Sequence, residues 1–115
     1  MTVWFSKAAR KALIAESELC HAAQQAALGQ ADDLGGGVFK KRLNKNEHRA
    51  IILTKASDFW IYEFLFAKKD MENINKAELR AFRMLAKSYA TLSERQIGML
   101  LAEKDWIEIC KETKS

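Results

Sequence analysis

Two apolar runs in the middle of the chain limit its fold more than any other feature. They are "AIIL" at residues 50–53 and "FWIYEFLF" at residues 59–66, and both are largely apolar at odd and at even positions. Successive side chains of a strand point to opposite faces of a sheet, so runs of this kind fit central strands. The residues "KASD" at 55–58 provide a short hairpin connection between them. The middle of the chain therefore predicts two antiparallel, buried strands.

A third strand is predicted just before them, at "VFKKRL" (residues 38–43), after a turn or loop at "DDLGGG". Its alternation puts Phe39 and Leu43 on one face and Lys40 and Arg42 on the other. Lys41 falls on the apolar face, so the alternation is imperfect. The same alternation predicts one aromatic face in the last strand. The members of that face are Trp60, Tyr62, Phe64 and Phe66.

Helical periodicity comes before this sheet. The stretch "TVWF" is predicted as a short first strand, after which Ser6 caps a short helix. Ser17 begins a second helix, which is predicted to stop near Gly29 because glycine suits the end of a helix.

Helical periodicity also follows the sheet. Asn75-x-x-Glu78 and Ser93-x-x-Gln96 have the spacing of capping boxes and each begins a predicted helix, and "DWIEIC" is a candidate last short strand. The order of helices, sheet and helices predicts an α+β fold: a small antiparallel sheet of three to four strands flanked by N-terminal and C-terminal helices.

The size and cysteine content suit one domain in a reducing compartment. The chain has 115 residues, which we assign to a single domain, 1–115. Cys20 and Cys110 lie far apart and outside any metal-ligand spacing, so we expect free thiols, and a bridge between them is the less favoured alternative. The N-terminus lacks a signal-peptide core, and no apolar run approaches the ~20 residues of a membrane span. We therefore expect a cytoplasmic protein without membrane contact.

The excess positive charge of the chain is concentrated in one segment. Residues 40–49 contain five cations and one acid, so their net charge of +4 equals that of the whole chain. Lysine and arginine clustered on a strand and its turn can bind the phosphates of a polyanion. The alternative is a solvated edge strand whose charges prevent aggregation.

Arg49 stands at the start of an apolar strand, on the same face as Ile51 and Leu53. At this position the guanidinium group is expected to be partly buried unless an external anion binds it. The alternative to an external anion is a salt bridge within the protein, to Asp58 or Glu63. Its neighbour His48 and the hydroxyl of Tyr62 are candidates for proton transfer. Lys68 leaves the last strand at its end, where catalytic groups often stand on a rigid scaffold.

Several kinds of active site are excluded by the motifs. The glycines of "GGG" lack the GK[ST] ending of a phosphate loop and run into a strand. We find no Ser/His/Asp arrangement, paired-carboxylate signature or metal-ligand cluster, and we expect no cofactor and no metal.

Taken in order, these blocks resemble the RelE/ParE superfamily of bacterial toxins, and more narrowly the RelE-type, HigB-like toxins of type II toxin–antitoxin systems. The resemblance rests on "LGGGVFKKRL", then "HRAIIL", then "FLFAKKDMENI" and "ELRAFRMLAK", and it extends from "ARKALI" to "WIEI".

The resemblance implies N-terminal helices packed on a small antiparallel sheet, and a metal-independent endoribonuclease (mRNA interferase) that cleaves mRNA on the ribosome. It also implies a cognate antitoxin with a helix-turn-helix DNA-binding domain. On this basis two groups of residues are predicted. The catalytic candidates are Arg49, Lys68, His48 and Tyr62, and the RNA phosphate-binding candidates are Lys40, Lys41, Arg42 and Lys45.

The chain departs from its relatives in one loop. Relatives often carry a glycine-rich, lysine-containing insertion before the strand arginine, whereas here the link is only "NKNEH" at residues 44–48. Lys45 and His48 are candidates to replace the missing basic contact. Two alternatives stay open: a ParE-like toxin that inhibits gyrase without nuclease activity, and a non-catalytic nucleic-acid-binding module.

Overall fold

The structure, a computed structural model, describes residues 1–55 and 59–110. This part of the chain contains four helices and a four-stranded sheet in the order β1-β2-β3-β4, with all neighbours antiparallel. The predicted α+β class is confirmed, and the predicted connection at 56–58 lies outside the described residues. The elements in chain order are α1 (Val3–Lys11), α2 (Glu16–Ala27), β1 (Asp32–Gly35), β2 (Val38–Leu43), β3 (His48–Lys55), β4 (Phe59–Ala67), α3 (Lys76–Ala90) and α4 (Glu94–Ala102).

The sheet is covered on both faces, as its two apolar runs require. The β3 residues 50–53 have no measurable exposure. Ala50 and Ile52 pack with α1 and α2 on one face, while Ile51 and Leu53 pack with α3 on the other. Because β3 separates two apolar layers, it forms the centre of the fold, while the edge strand β1 and the ends of the sheet remain open to solvent.

The predicted aromatic face of β4 is wrong, because the strand contains a bulge. Ile51 pairs with Phe64 but the next residue, Ile52, pairs with Tyr62, so Glu63 is the extra residue. One extra residue reverses the parity of every side chain beyond it. Tyr62 therefore joins the core under the N-terminal helices, and Phe64 packs under α3.

The bulge leaves the Glu63 carboxylate half-buried, where it accepts a hydrogen bond of 2.8 Å from the Tyr89 hydroxyl of α3. Desolvation raises the pKa of Glu63 above its ordinary value of 4.5, although the Tyr89 hydrogen bond opposes the shift. The folded protein thus holds this proton more tightly than the unfolded chain does. The protonated form therefore contributes stability. This contribution is fully present below the ordinary pKa of the unfolded chain and is lost as the pH rises through the raised pKa of the folded protein.

Glu63→Gln is expected to remove that pH dependence, because glutamine keeps an acceptor for Tyr89 without a charge to desolvate. At pH 7 the variant should melt above the wild type, and the difference should shrink as the pH falls toward 4. Thermal unfolding measured across this range tests the prediction. Glu72→Gln, at an exposed position, is the control and should follow the wild type. A constant difference at all pH values contradicts the explanation.

The N-terminal boundaries differ from the sequence-based prediction. The stretch "TVWF" is not a strand: α1 begins at Val3, and Thr2 rather than Ser6 caps it by accepting the Phe5 N–H at 3.1 Å. Ser6 is buried inside the helix. The second helix begins at Glu16, one residue before Ser17, and Gly29 follows its end with a left-handed φ of 89°.

Two further stretches were assigned wrongly. Part of "DDLGGG" is the edge strand β1, since Asp32 and Asp33 pair with β2. "DWIEIC" supplies only an isolated bridge between Thr2 and Trp106. By contrast, both predicted capping boxes are confirmed, at the starts of α3 and α4.

The turn after β1 requires glycine both for its backbone conformation and because a side chain would collide with α3. Gly36 has a left-handed φ of 66°, and an added Cβ there would lie 2.9 Å from Cγ of Arg83. The Arg83 guanidinium also donates a hydrogen bond to the Leu34 carbonyl. The turn from β1 into β2 is therefore shaped to receive α3.

The expectation of free cysteines is wrong, because Cys20 of α2 is bonded to Cys110 across a sequence separation of 90. The segment after α4 returns along the N-terminus, where Val3 N–H donates to the Asp105 carbonyl and Ile107 N–H to the Met1 carbonyl. That path carries Cys110 to α2. Residues 90 apart in sequence meet through tertiary packing, which their spacing does not reveal.

Candidate nucleic-acid interface

The β2–β3 hairpin places Arg42 directly opposite Arg49. Side chains of directly opposite residues lie on the same face, with Cβ atoms roughly 5 Å apart. Lys40, two residues before Arg42, lies on that face as well, opposite Ile51. We call Lys40, Arg42 and Arg49 the cationic face. It occupies the open end of the sheet surface that α3 covers farther along, beside Phe66 of β4.

The two arginines have no acidic partner among the described residues, where the only ion pair joins Lys40 to Asp32. Like charges placed opposite each other destabilise a sheet by up to about 1 kcal/mol. The expected salt bridge of Arg49 to Glu63 is not formed, and Asp58 lies outside the described residues. This arrangement is unfavourable by itself and becomes favourable when an anion binds between the guanidinium groups.

Arg49 is held in place by the backbone of the adjoining turn. Its Nη1 donates to the carbonyl oxygens of Asn46 at 3.0 Å and His48 at 3.2 Å. Within the described chain its Nη2 and Nε groups have no acceptor, so these donors can form a fork onto a phosphate. The guanidinium is therefore already oriented before a ligand arrives.

Lys40 is the least available member of the cationic face. Its Nζ donates to the Asn73 side chain at 3.3 Å and lies 3.9 Å from the Asp32 carboxylate. It lines an open cleft of about 370 Å³ together with Lys41, Arg42 and residues 29–32.

The turn between β2 and β3 contains Lys45 and has an uncommon backbone. Asn44, Lys45 and Asn46 have left-handed φ values of 55°, 53° and 72°. This conformation costs about 1–2 kcal/mol for an ordinary residue, and somewhat less for asparagine. Lys45 is exposed at the tip of the hairpin. The turn thus presents a further cation at the end of the cationic face.

Lys68 lies next to this turn. It follows the last residue of β4, its side chain is exposed, and its backbone N–H donates to the Glu47 carbonyl at 2.8 Å. The end of β4 and the hairpin tip are therefore joined, and the predicted residues Lys45 and Lys68 are brought together there.

The other predicted residues lie on the opposite face. Lys41 is aligned with Ala50, and His48 with Ala67, on the side of the N-terminal helices. The Nδ1 atom of His48 is 3.1 Å from the Asn44 side-chain amide. His48 therefore borders the turn without sharing the cationic face.

The catalytic candidate Tyr62 is a core residue. Its side chain is 2% exposed, its ring stacks on Phe5, and its hydroxyl donates to the Leu19 carbonyl at 2.7 Å. Burial, with a smaller effect from Glu18, raises the pKa of the Tyr62 hydroxyl far above its ordinary value. The hydroxyl has no route to a phosphate on the cationic face.

Two residues at this site were missed by sequence reasoning. The Asn44 backbone N–H donates to the carboxylate of Glu18 in α2. Asparagine tolerates a left-handed backbone, so the two asparagines of "NKNEH" could have indicated a tight turn at Asn44. No local pattern marks Glu18, because its partner lies 26 residues away.

The geometry can bind and polarise one phosphate. Arg42 and Arg49 lie opposite each other on neighbouring strands, and Lys45 and Lys68 lie at the adjoining turn and strand end. Such groups stabilise the additional negative charge of a pentavalent phosphorus transition state.

Comparisons with known proteins give one match. A family model described as the RelE toxin of the RelE/RelB toxin–antitoxin system matches residues 1–109. The comparisons with curated proteins and with solved structures find no match. Within the described residues, no helix is both long and apolar enough to cross a membrane.

Proposed function

The chain belongs to the RelE toxin family and is the toxin of a toxin–antitoxin system, and on that premise we propose that it inhibits translation by cutting mRNA. We assign it as a metal-independent, ribosome-dependent endoribonuclease that acts in the cytoplasm, where its ribosomal target is. The Cys20–Cys110 bond removes the argument for that compartment from free thiols, so this part of the proposal rests on the target. The observation that supports this assignment best is the cross-strand pair Arg42 and Arg49, two cations on one face without an acidic partner in the described chain.

The cleavage needs charge stabilisation more than a nucleophile from the protein. The 2′-hydroxyl of RNA attacks the adjacent phosphorus, and the bond to the 5′-oxygen of the next nucleotide breaks. Arg42 and Arg49 bind the non-bridging oxygens, whose charge grows in the transition state. Lys40 and Lys45 hold the flanking phosphates.

Proton transfer belongs to the groups at the hairpin tip. A lysine ammonium can donate a proton to the departing 5′-oxygen, and we assign this role to Lys68, which lies beside the turn. His48 borders the same turn from the face of the N-terminal helices. We assign it to accept the proton of the 2′-hydroxyl, a role that requires the RNA to bend around the hairpin tip.

The antitoxin partner follows from the family, and we propose that it carries a helix-turn-helix DNA-binding domain. A partner that covers the cationic face with carboxylates would neutralise the toxin by occupying the phosphate site.

Purified protein added to ribosomes programmed with a defined mRNA tests the proposal. We expect cleavage within codons in the decoding site and products that end in 2′,3′-cyclic phosphate. The rate should not change when EDTA is added to assembled ribosomes together with enough magnesium to keep them intact. The same mRNA without ribosomes should stay intact.

The alternatives give different outcomes. Growth arrest with intact mRNA and inhibited supercoiling by purified gyrase would show a ParE-like toxin. Normal growth on induction, with salt-dependent RNA binding, would show a binding module.

A further inference from the structure

The turn that presents Lys45 and supports Arg49 needs external support. Three successive residues, Asn44 to Asn46, have left-handed backbone. Within the turn one backbone bond, from Glu47 N–H to the Asn44 carbonyl at 3.0 Å, closes it, and the side chains of Arg49 and His48 add bonds from the hairpin itself. Conformations of this kind persist where the surrounding structure fixes them.

Two supports come from outside the hairpin. On one side, Lys68 N–H donates to the Glu47 carbonyl at 2.8 Å. On the other side, the Asn44 N–H donates to the Glu18 carboxylate of α2. A hydrogen bond to an ionised acceptor is roughly twice as strong as one between neutral groups. Glu18 is therefore the strongest single support of the turn from another element.

Glu18 occupies the capping-box position of its helix but does not close a capping box. In α3 and α4 the third helical residue, Glu78 or Gln96, folds back to the residue that caps the helix. Glu18 is the third residue of α2, but the cap there is Ala15, which makes no side-chain hydrogen bond. Its carboxylate reaches the hairpin instead.

Tyr62 holds the part of α2 that carries Glu18. Its hydroxyl donates to the carbonyl of Leu19, the residue after Glu18, at 2.7 Å. Because Tyr62 is buried in β4, this contact attaches the first turn of α2 to the sheet.

We propose that Glu18 is a positioning residue that holds the 44–47 turn in the conformation needed for cleavage, an inference that rests on the proposed function. A carboxylate near a phosphate-binding surface repels the substrate. Its presence is explained by its bond to the Asn44 backbone, which outweighs that repulsion by orienting Lys45 and Arg49.

Three variants of the full chain test this: Glu18→Ala, Glu18→Gln and the control Glu16→Ala. Glu16 is exposed, lies in the same first turn of α2 and has the same charge. The first readout is the hydrogen-exchange rate of the Asn44 amide by NMR. The second is kcat and KM for mRNA cleavage on programmed ribosomes.

For Glu18→Ala we expect Asn44 exchange at least about tenfold faster and kcat roughly tenfold lower, with KM within about threefold of wild type, because a displaced catalytic group slows chemistry more than binding. Glu18→Gln keeps an acceptor without the charge, so its losses should be clearly smaller than those of Glu18→Ala in both readouts. Glu16→Ala should change neither.

Several results would overturn the inference. Unchanged Asn44 exchange in Glu18→Ala shows that Glu18 does not hold the turn. Equal losses of kcat in the Ala and Gln variants, or a lower KM in both with kcat unchanged, show that charge alone matters. If Glu18→Ala does not fold, a full loss in folded Glu18→Gln contradicts the proposal. If wild-type protein cleaves nothing, the proposed function fails, and Asn44 exchange still decides whether Glu18 holds the turn.

Discussion

Arg49→Ala is expected to lower the rate of mRNA cleavage on the ribosome by a factor of about 10²–10³, the usual loss when one preorganised transition-state contact is removed. The loss should appear mainly in kcat, because the charge that Arg49 meets grows as the phosphorane forms. Arg49→Lys should recover only part of it, since an ammonium cannot form a fork onto two oxygens. Single-turnover cleavage of a defined mRNA gives these rates directly.

The substitution Arg42→Ala should affect activity and stability in opposite directions, which makes it a more specific test of the cationic face. Removing one of two opposed guanidinium groups relieves repulsion, so Arg42→Ala should keep or slightly raise the free energy of unfolding, by up to about 0.5 kcal/mol. Its cleavage rate should still fall at least about tenfold. The double variant should lose less than the product of the two single losses, because both residues contact one phosphate.

Arg95→Ala is the matched control for both variants. Arg95 is an exposed arginine of α4, so the substitution removes the same charge without touching the sheet. Its cleavage rate should stay within about twofold of wild type at physiological salt, where distant surface charges are screened. Equal losses in all three variants would mean that net charge alone drives RNA binding. Full activity of Arg49→Ala would contradict the assignment of the cationic face.

The strands and their faces were predictable where the pattern is local. The alternation of "VFKKRL" places Arg42 and Lys40 on one face, and the apolar run after Arg49 predicts a strand between two layers. The alignment of Arg42 with Arg49 was not predicted, because the link was placed at 44–48 whereas β3 begins at His48 and the connection is 44–47. Polarity and period are properties of a short window, so the sequence contains that information, but an error of one residue in a turn changes the register.

The bulge at Glu63 was beyond such reasoning. One inserted residue leaves composition unchanged but reverses side-chain parity, so the pattern groups Tyr62 with Phe64 and Phe66 although it packs under the N-terminal helices. Tyr62 was a catalytic candidate because of its hydroxyl, which the core contact with Leu19 uses instead. Glu18 was missed for a similar reason. Its role depends on where α2 packs against the hairpin, and packing of distant segments is not encoded in any one window.

The second large effect concerns the bond between Cys20 and Cys110. Opening it is expected to lower the free energy of unfolding by about 3–5 kcal/mol, because the bond closes a loop of some 90 residues and so restricts the unfolded chain. For a domain of this size such a loss lowers the melting temperature by roughly 10–20 °C. Urea unfolding with and without dithiothreitol measures it.

Cys20→Ser separates the bond from other effects of reductant. This variant should match the reduced wild type in stability and should not respond to dithiothreitol. Its cleavage rate should stay within about threefold of wild type at 25 °C, since the contacts of Tyr62 and Glu18 hold α2 in the folded state without the bond. Thiol alkylation in intact cells before lysis then shows whether the two cysteines are reduced or bonded in the cell. Free thiols in protein purified without reductant, or a stability difference under about 0.5 kcal/mol on reduction, would contradict the pairing as a source of stability.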